Sequence, residues 1–135
     1  MAKKPNRIYV AKNKAFLEQL KLQEDVMHLS DGVLYKVINN GEGKVMPKLN
    51  SVVSVHYKGS LTNGYVFDST LNNGYPETFR LYEVIDGWQV AMQKMCVGDK
   101  WIVYIPSDMG YGDRAMDDIP GGSTLIFEIE LLAIN

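Results

Sequence analysis

Several short stretches of this chain set aromatic and aliphatic side chains beside turn signals: Tyr57, Phe67-Asp68, Val84-Ile85, Trp88, Tyr111, Ile119-Pro120 and Phe127. Together they describe the lining of one small apolar cup. The set holds a well-placed carboxylate, Asp68, and a phenol hydroxyl, Tyr111, but no nucleophile, metal cluster or phosphate loop beside them. Such a cup suits a greasy, neutral ligand.

Other chemistries fit the sequence worse. His28 and His56 are separated by a helix-to-strand change, and a single cysteine leaves no ligand spacing for structural zinc. His56, alternating with Val55 and Tyr57, reads as a solvent-side strand position. Asp117-Asp118 supplies too few consecutive oxygen ligands for a calcium cage and reads as surface charge. Gly41-Glu42-Gly43 lacks the helix-opening context of a phosphate or dinucleotide loop. No metal or other cofactor is expected.

The elements that must position the cup fit in one domain, because 135 residues suffice for a single core and not for two ordinary domains. Hydrophobic residues at 46% and charged residues at 22% match a soluble globular chain, which excludes disorder and fibrous repeats. The net charge is -2 and the basic residues are scattered apart from Lys3-Lys4, so neither nucleic acid nor an anionic membrane is an expected partner. No apolar run approaches the roughly 18 residues of a membrane span. Cys96 is alone, which excludes an internal disulfide and reads as a buried, inert thiol. The expectation is a cytoplasmic protein, or a periplasmic one if a signal peptide has been removed.

From about Ala11 to Leu29 the chain lacks Gly and Pro, and Phe16, Leu17, Leu20 and Met27 fall near helical spacing, which predicts a helix. Ser30-Asp31-Gly32 breaks it. Strands are expected at Val33 to Ile38, Ser51 to Tyr57, Val66 to Thr70, Thr78 to Leu81, Lys100 to Ile105 and Ser123 to Ile134. Leu71 to Pro76 reads as a loop with an irregular edge beside it. Trp88, Ala91, Met92 and Met95 recur at i, i+3, i+4 and i+7, a short helix with one face on a core. Ser107 to Gly122 is a long loop, a length that in compact domains tends to carry function. The sum is an α+β fold.

These residues resemble the FKBP-type peptidyl-prolyl cis-trans isomerases over roughly Gly32 to Asn135. The resemblance rests on Val55-His56-Tyr57-Lys58-Gly59, Phe67-Asp68-Ser69-Thr70, Val84-Ile85-Asp86-Gly87-Trp88, Met95-Cys96-Val97-Gly98-Asp99, Ile105 to Gly112, and Ile119-Pro120-Gly121-Gly122 running on to Leu131. One such segment is weak; six in family order are strong. The helix leading into Gly32 to Val37 resembles the macrophage-infectivity-potentiator branch, found in bacteria, whose helix often mediates dimers. The resemblance implies an antiparallel sheet of about five strands curled around a short helix, with a helical arm over residues 1–31 and the isomerase domain over 32–135.

It also implies roles. The proline ring would sit on Trp88, with Tyr57, Phe67, Phe79, Val84, Ile85, Ile119 and Phe127 around it. The Tyr111 hydroxyl and the Ile85 N–H would hold substrate carbonyls, and Asp68 would polarise the pocket edge without acting as a base. Asp68, Tyr111, Trp88 and Phe67 are thus the candidate catalytic residues. Proline-containing clients, and the macrolide inhibitors of the family, are the implied partners, as a monomer or as a homodimer through the N-terminal helix. The alternative is a proline-recognising binding or chaperone module with weak or no catalysis. Two departures stand out: Asn72-Asn73-Gly74 replaces an arginine that in many relatives pairs with the pocket aspartate, and residues 115–119 are acidic. The second predicts slower turnover of peptides with acidic flanks than of neutral ones.

Overall fold

The computed structural model of the chain describes residues 5–72 and 74–135. Helix α1, Arg7–Leu20, opens it, capped by Asn6, whose side-chain oxygen accepts from the Ile8 and Tyr9 N–H groups at 2.9 and 3.1 Å. The helix begins before Ala11 and ends well short of Leu29. Past Leu20 the chain turns, with Gln23 N–H bonded to Leu20 and Val26 N–H to Gln23, and this brings Val26 into contact with Leu20. Burying Val26 competes with continuing the helix and wins. Met27, read as part of the helical stripe, lies instead in strand β1, Met27–His28, and is 48% exposed.

The remaining strands are β2, Leu34–Asn39; β3, Val52–Ser60; β4, Val66–Ser69; β5, Glu77–Arg80; β6, Lys100–Ile105; and β7, Leu125–Ile134. All pairings are antiparallel, in the order β1-β2-β6-β7-β3-β4, with β5 also on β3. Among the described residues there are seven strands, where about five were expected. One extra strand is the two-residue β1; another arises because one edge of β3 is shared, β5 pairing with Val52 to Val55 and β4 with Lys58 to Ser60.

Alternation along the strands makes the core. β3 buries Val53, Val55 and Tyr57 while Ser54, His56 and Lys58 face away, and β7 buries Leu125, Phe127, Ile129 and Leu131. Helix α2, Asp86–Met92, lies against this inner face with Trp88, Ala91 and Met92 buried. Its approach to β6 depends on Gly87, where a Cβ would fall 2.5 Å from the Ile105 side chain. Asp99 closes the turn after the helix: its carboxylate accepts from Gly41 N–H at 2.7 Å and Cys96 N–H at 2.8 Å.

The outer face is covered as well. Leu17 and Leu20 of α1 pack with Val26, Leu34 and Tyr104 in a second cluster, and burying each leucine stabilises by about 1.5–3 kcal/mol. Polar ties fix the same helix to the start of β7. Asn13, 2% exposed, accepts from Thr124 N–H at 2.7 Å, and the Tyr9 and Ser123 hydroxyls bond at 2.7 Å.

Candidate functional site

Between α2, the inner face of the sheet and the 107–122 loop lies a cavity of about 460 Å³. Tyr57 reaches it from β3, Phe67 and Asp68 from β4, Phe79 from β5 and Phe127 from β7. Val84 and Ile85 come from the chain entering α2, Trp88 from that helix, and Tyr111 and Ile119 from the loop. All ten candidate catalytic and substrate-binding residues therefore line one cavity, whereas Pro120 does not.

Phe67 and Asp68 are neighbours on a strand, and neighbours ordinarily point to opposite faces. The register explains the exception: Gly59 pairs with Asp68 and Ser60 with Val66, leaving Phe67 as the unopposed residue of a bulge. Gly59 makes room for it. A Cβ there would lie 2.7 Å from both the Phe67 and the Phe127 rings, which meet at 5.6 Å and 88°.

Trp88, 4% exposed, is the centre of the aromatic set. Tyr57, Phe127 and Phe79 stand around it at centroid distances of 5.1, 5.2 and 5.7 Å, each within a few degrees of perpendicular. Edge-to-face contacts of this kind add about 0.5–1.5 kcal/mol each beyond area burial, so the rings hold one another in place. The Trp88 indole N–H has no acceptor among the described residues.

The polar groups sort into held and free. Tyr57 donates to Asp68 Oδ2 at 2.5 Å, so Asp68 has a phenol partner. Burial, then this hydrogen bond and the Asp68 charge, push the Tyr57 phenol far above its ordinary range. Burial, then the charges of Asp68 and Asp117, also raise Tyr111. Among the described residues, neither the Tyr111 hydroxyl nor the Ile85 N–H has a hydrogen-bond partner. Both are donors on the cavity wall left for something else to accept. Asn73, in the turn that lacks the arginine, lies outside the described residues, as do Lys3 and Lys4.

Four lining residues were not read from the sequence as part of the cup: Glu83, Met116, Asp117 and Asp118. The pair Asp117-Asp118 is more than surface charge, because the loop tip folds back through paired Met116 and Ile119 backbone bonds of 2.9 and 2.7 Å and carries both aspartates to the cavity. Asp117 has φ 50°, a conformation that Asp and Asn tolerate best after glycine. Tyr65 donates to Asp118 Oδ2 at 2.8 Å, tying this tip to the turn before β4. His56 lies on the outward side of β3, as its alternation with Val55 and Tyr57 predicts, half-buried with its Nδ1 2.9 Å from the Thr70 hydroxyl, and Cys96 is only partly buried.

Comparison with known proteins agrees with this geometry. Residues 43–132 match the family described as FKBP-type peptidyl-prolyl cis-trans isomerase. The chain is 40% identical over 125 residues to the peptidyl-prolyl cis-trans isomerase Mip of Coxiella burnetii, covering 92% of this chain and 54% of that one. It is 41% identical over 126 residues to the outer membrane protein MIP of Legionella longbeachae, covering 93% and 54%. The crystal structure of a peptidyl-prolyl cis-trans isomerase from Pseudomonas syringae superposes with a TM-score of 0.89 at 36% identity, covering 100% of this chain and 99% of that one. The chain belongs to the FKBP-type peptidyl-prolyl cis-trans isomerase family. It spans about half the length of the curated relatives it matches.

Proposed function

We propose that this chain accelerates cis-trans exchange of X-Pro bonds in polypeptide clients, assisting their folding, with the cavity around Trp88 as the active site. The barrier to be lowered is about 18–20 kcal/mol, and uncatalysed exchange takes roughly tens to hundreds of seconds. It arises from amide resonance, which places negative charge on oxygen and positive charge on nitrogen. Twisting the bond removes resonance and its dipole together. An apolar cup therefore stabilises the twisted state relative to the planar ones, and that difference is catalysis without bond breaking.

The carrying observation is the pairing of an aromatic cup with two unpartnered donors on its wall, Tyr111 Oη and Ile85 N–H. The proline ring rests on Trp88 between Tyr57, Phe67, Phe79 and Phe127, with Val84 and Ile119 completing the wall. The two groups donate to the flanking carbonyls and fix one side of the chain while the other rotates. Asp68 orients Tyr57 and polarises the cup edge. The same cup and donors support the family's macrolides as competing ligands.

Exchange of a Leu-Pro peptide, followed by NMR without a coupling protease, tests the reading. Wild type should accelerate it, and Tyr111→Phe should lose about tenfold in kcat/KM, the worth of one hydrogen bond in the transition state. Asp68→Ala and Trp88→Ala should lose more, provided near-UV circular dichroism shows each variant folded. Peptide binding to folded wild type with no acceleration would turn the reading to a proline-recognising module.

The chain acts as a monomer in this reading, because Leu17 and Leu20, the buried stripe of α1, are already covered by Leu34 and Tyr104 of the same chain. Light scattering at micromolar concentration should return the mass of one chain; the mass of two would favour the dimer. Among the described residues no helix is long and apolar enough to cross a membrane. The lone Cys96 supports a cytoplasmic location, whereas a relative named as an outer membrane protein supports the periplasmic alternative. Fractionation of the host cell separates the two.

A further inference from the structure

The wall of the cavity carries four carboxylates, Asp68, Glu83, Asp117 and Asp118, and none of its described lining residues is Lys, Arg or His. The chain as a whole is only at -2, so this is a local concentration of charge. Two of the four are engaged, Asp68 by the Tyr57 hydroxyl and Asp118 by that of Tyr65. Glu83 and Asp117 have no hydrogen-bond or ion-pair partner among the described residues. Of the cations on neighbouring elements, Arg80 and Lys58 are occupied elsewhere, while Arg114 of the 107–122 loop forms no ion pair among the described residues. Arg80 donates to the Asn50 carbonyl at 2.9 Å and lies over the Tyr82 ring, and Lys58 pairs with Glu128 at 2.9 Å.

The two free carboxylates come from different elements, Glu83 from the turn that leads to Ile85 and α2, and Asp117 from the tip of the 107–122 loop. Each is close in the chain to one of the unpartnered donors, Glu83 to the Ile85 N–H and Asp117 to Tyr111. The Asp117 charge is also felt at Tyr111, where it contributes to the raised phenol. Trp88, 4% exposed, lines the same cavity, and its indole N–H has no acceptor among the described residues, as is also true of Trp101 away from the cavity.

We infer that Glu83 and Asp117 are specificity-determining residues that favour clients carrying Lys or Arg next to the isomerised proline. The inference rests on the isomerase reading and adds the class of substrate to it. With the proline in the cup and its neighbouring carbonyls on Tyr111 and Ile85, the flanking side chains leave past these two carboxylates. A cationic flank meets two unpaired negative charges; an acidic flank meets the same charges with repulsion. Exposed charge pairs are individually weak, but attraction on one side and repulsion on the other act on the same ratio, so the Lys-flanked peptide should exceed the Glu-flanked one by about fivefold in kcat/KM.

The experiment is NMR exchange on peptides with Lys, Leu or Glu before the proline, and a second set with the same residues after it. Wild type is compared with Glu83→Gln, Asp117→Asn, the double variant and Glu83→Lys. Asn at 117 keeps a residue that tolerates the positive φ, so backbone strain is not added. In wild type the Lys-to-Glu ratio should be about fivefold in at least one set and fall towards one in about 0.5 M salt, where screening acts within a few ångströms. The double variant should bring the ratio near one at low salt, and Glu83→Lys should bring it below the value for Glu83→Gln.

A wild-type ratio of one in both sets, with the Leu peptide accelerated, overturns the charge preference and leaves the isomerase reading intact. So does a ratio that survives in the folded double variant. Failure to accelerate any peptide overturns the isomerase reading instead; peptide affinities from chemical-shift titration of the same series then test the charge preference, and equal affinities for the Lys and Glu peptides overturn it.

Discussion

The Tyr57 hydroxyl donates to Asp68 across 2.5 Å, so the aspartate of the cup is held from β3 by a phenol that is itself nearly buried. Removing that donor by Tyr57→Phe leaves a carboxylate short of its partner and should cost about 1–3 kcal/mol in urea unfolding. The pH dependence follows from the raised phenol. A tyrosine whose folded pKa lies above its unfolded value stabilises fully below the unfolded value, about 10, and loses that contribution as pH rises towards the folded one. Wild-type stability should therefore fall above about pH 10, with Tyr57 contributing up to about 1.4 kcal/mol per pH unit. The stability gap between wild type and Tyr57→Phe should narrow over the same range. A gap that stays constant from pH 9 to about pH 11 would show that Tyr57 does not titrate with the fold.

Gly59 sits where Phe67 and Phe127 leave room for a hydrogen alone. Gly59→Ala should force those rings apart, costing about 1–3 kcal/mol by overpacking and lowering proline-peptide affinity in the same variant. Unfolding and peptide titration measured together check this. Unchanged values in both would mean that the rings yield freely and that Gly59 does not set the shape of the cup.

The cup was legible because six short segments with turn residues around them follow the order of the family they resemble. Local pattern alone left Trp88 and Phe127 looking like ordinary core; the ordered combination set them with Tyr57 around one cup. The limits of α1 were not legible: lysines, glutamates and glutamines continue past Leu20, and only the burial of Val26 against Leu34 and Tyr104, long-range contacts, decides where the helix stops. Glu83 and Asp117 look like ordinary solvated charges in sequence, since what carries them to the cavity is a turn and a loop tip closed by backbone bonds. Asn13 was hidden in the same way, a polar residue in a charged helix that is nonetheless among the most buried polar groups of the described chain.

The tie between Tyr65 and Asp118 joins the turn before β4 to the tip that presents Asp117. Tyr65→Phe should loosen the tip without affecting the core, so the amide protons of Met116 and Ile119, which bond each other's carbonyls, should exchange faster while those of β7 keep their rates. The KM for proline peptides should rise more than kcat falls. Equal exchange rates at Met116 and Ile119 in both proteins would show that the paired backbone bonds hold the tip alone.

Asn13 connects the helical arm to the exit of the 107–122 loop. Its oxygen accepts from Thr124 N–H at 2.7 Å and its amide donates to the Tyr9 carbonyl at 2.8 Å, with the whole residue 2% exposed. Asn13→Ala orphans the buried Thr124 N–H, which should cost about 1–3 kcal/mol. Asn13→Asp keeps the acceptor but forfeits the donor and buries a charge, so it should not restore stability at neutral pH. The arm lies far in sequence from the cup, yet Thr124 follows Ile119 by a few residues across Gly121 and Gly122, and Gly122 is pressed against Val10 of α1. Loss of the Asn13 tie should therefore accelerate amide exchange at Gly122 and Thr124 first, and peptide affinity should fall with it. A variant destabilised by the expected amount whose 119–124 amides exchange no faster than the rest would confine Asn13 to stability and uncouple α1 from the pocket.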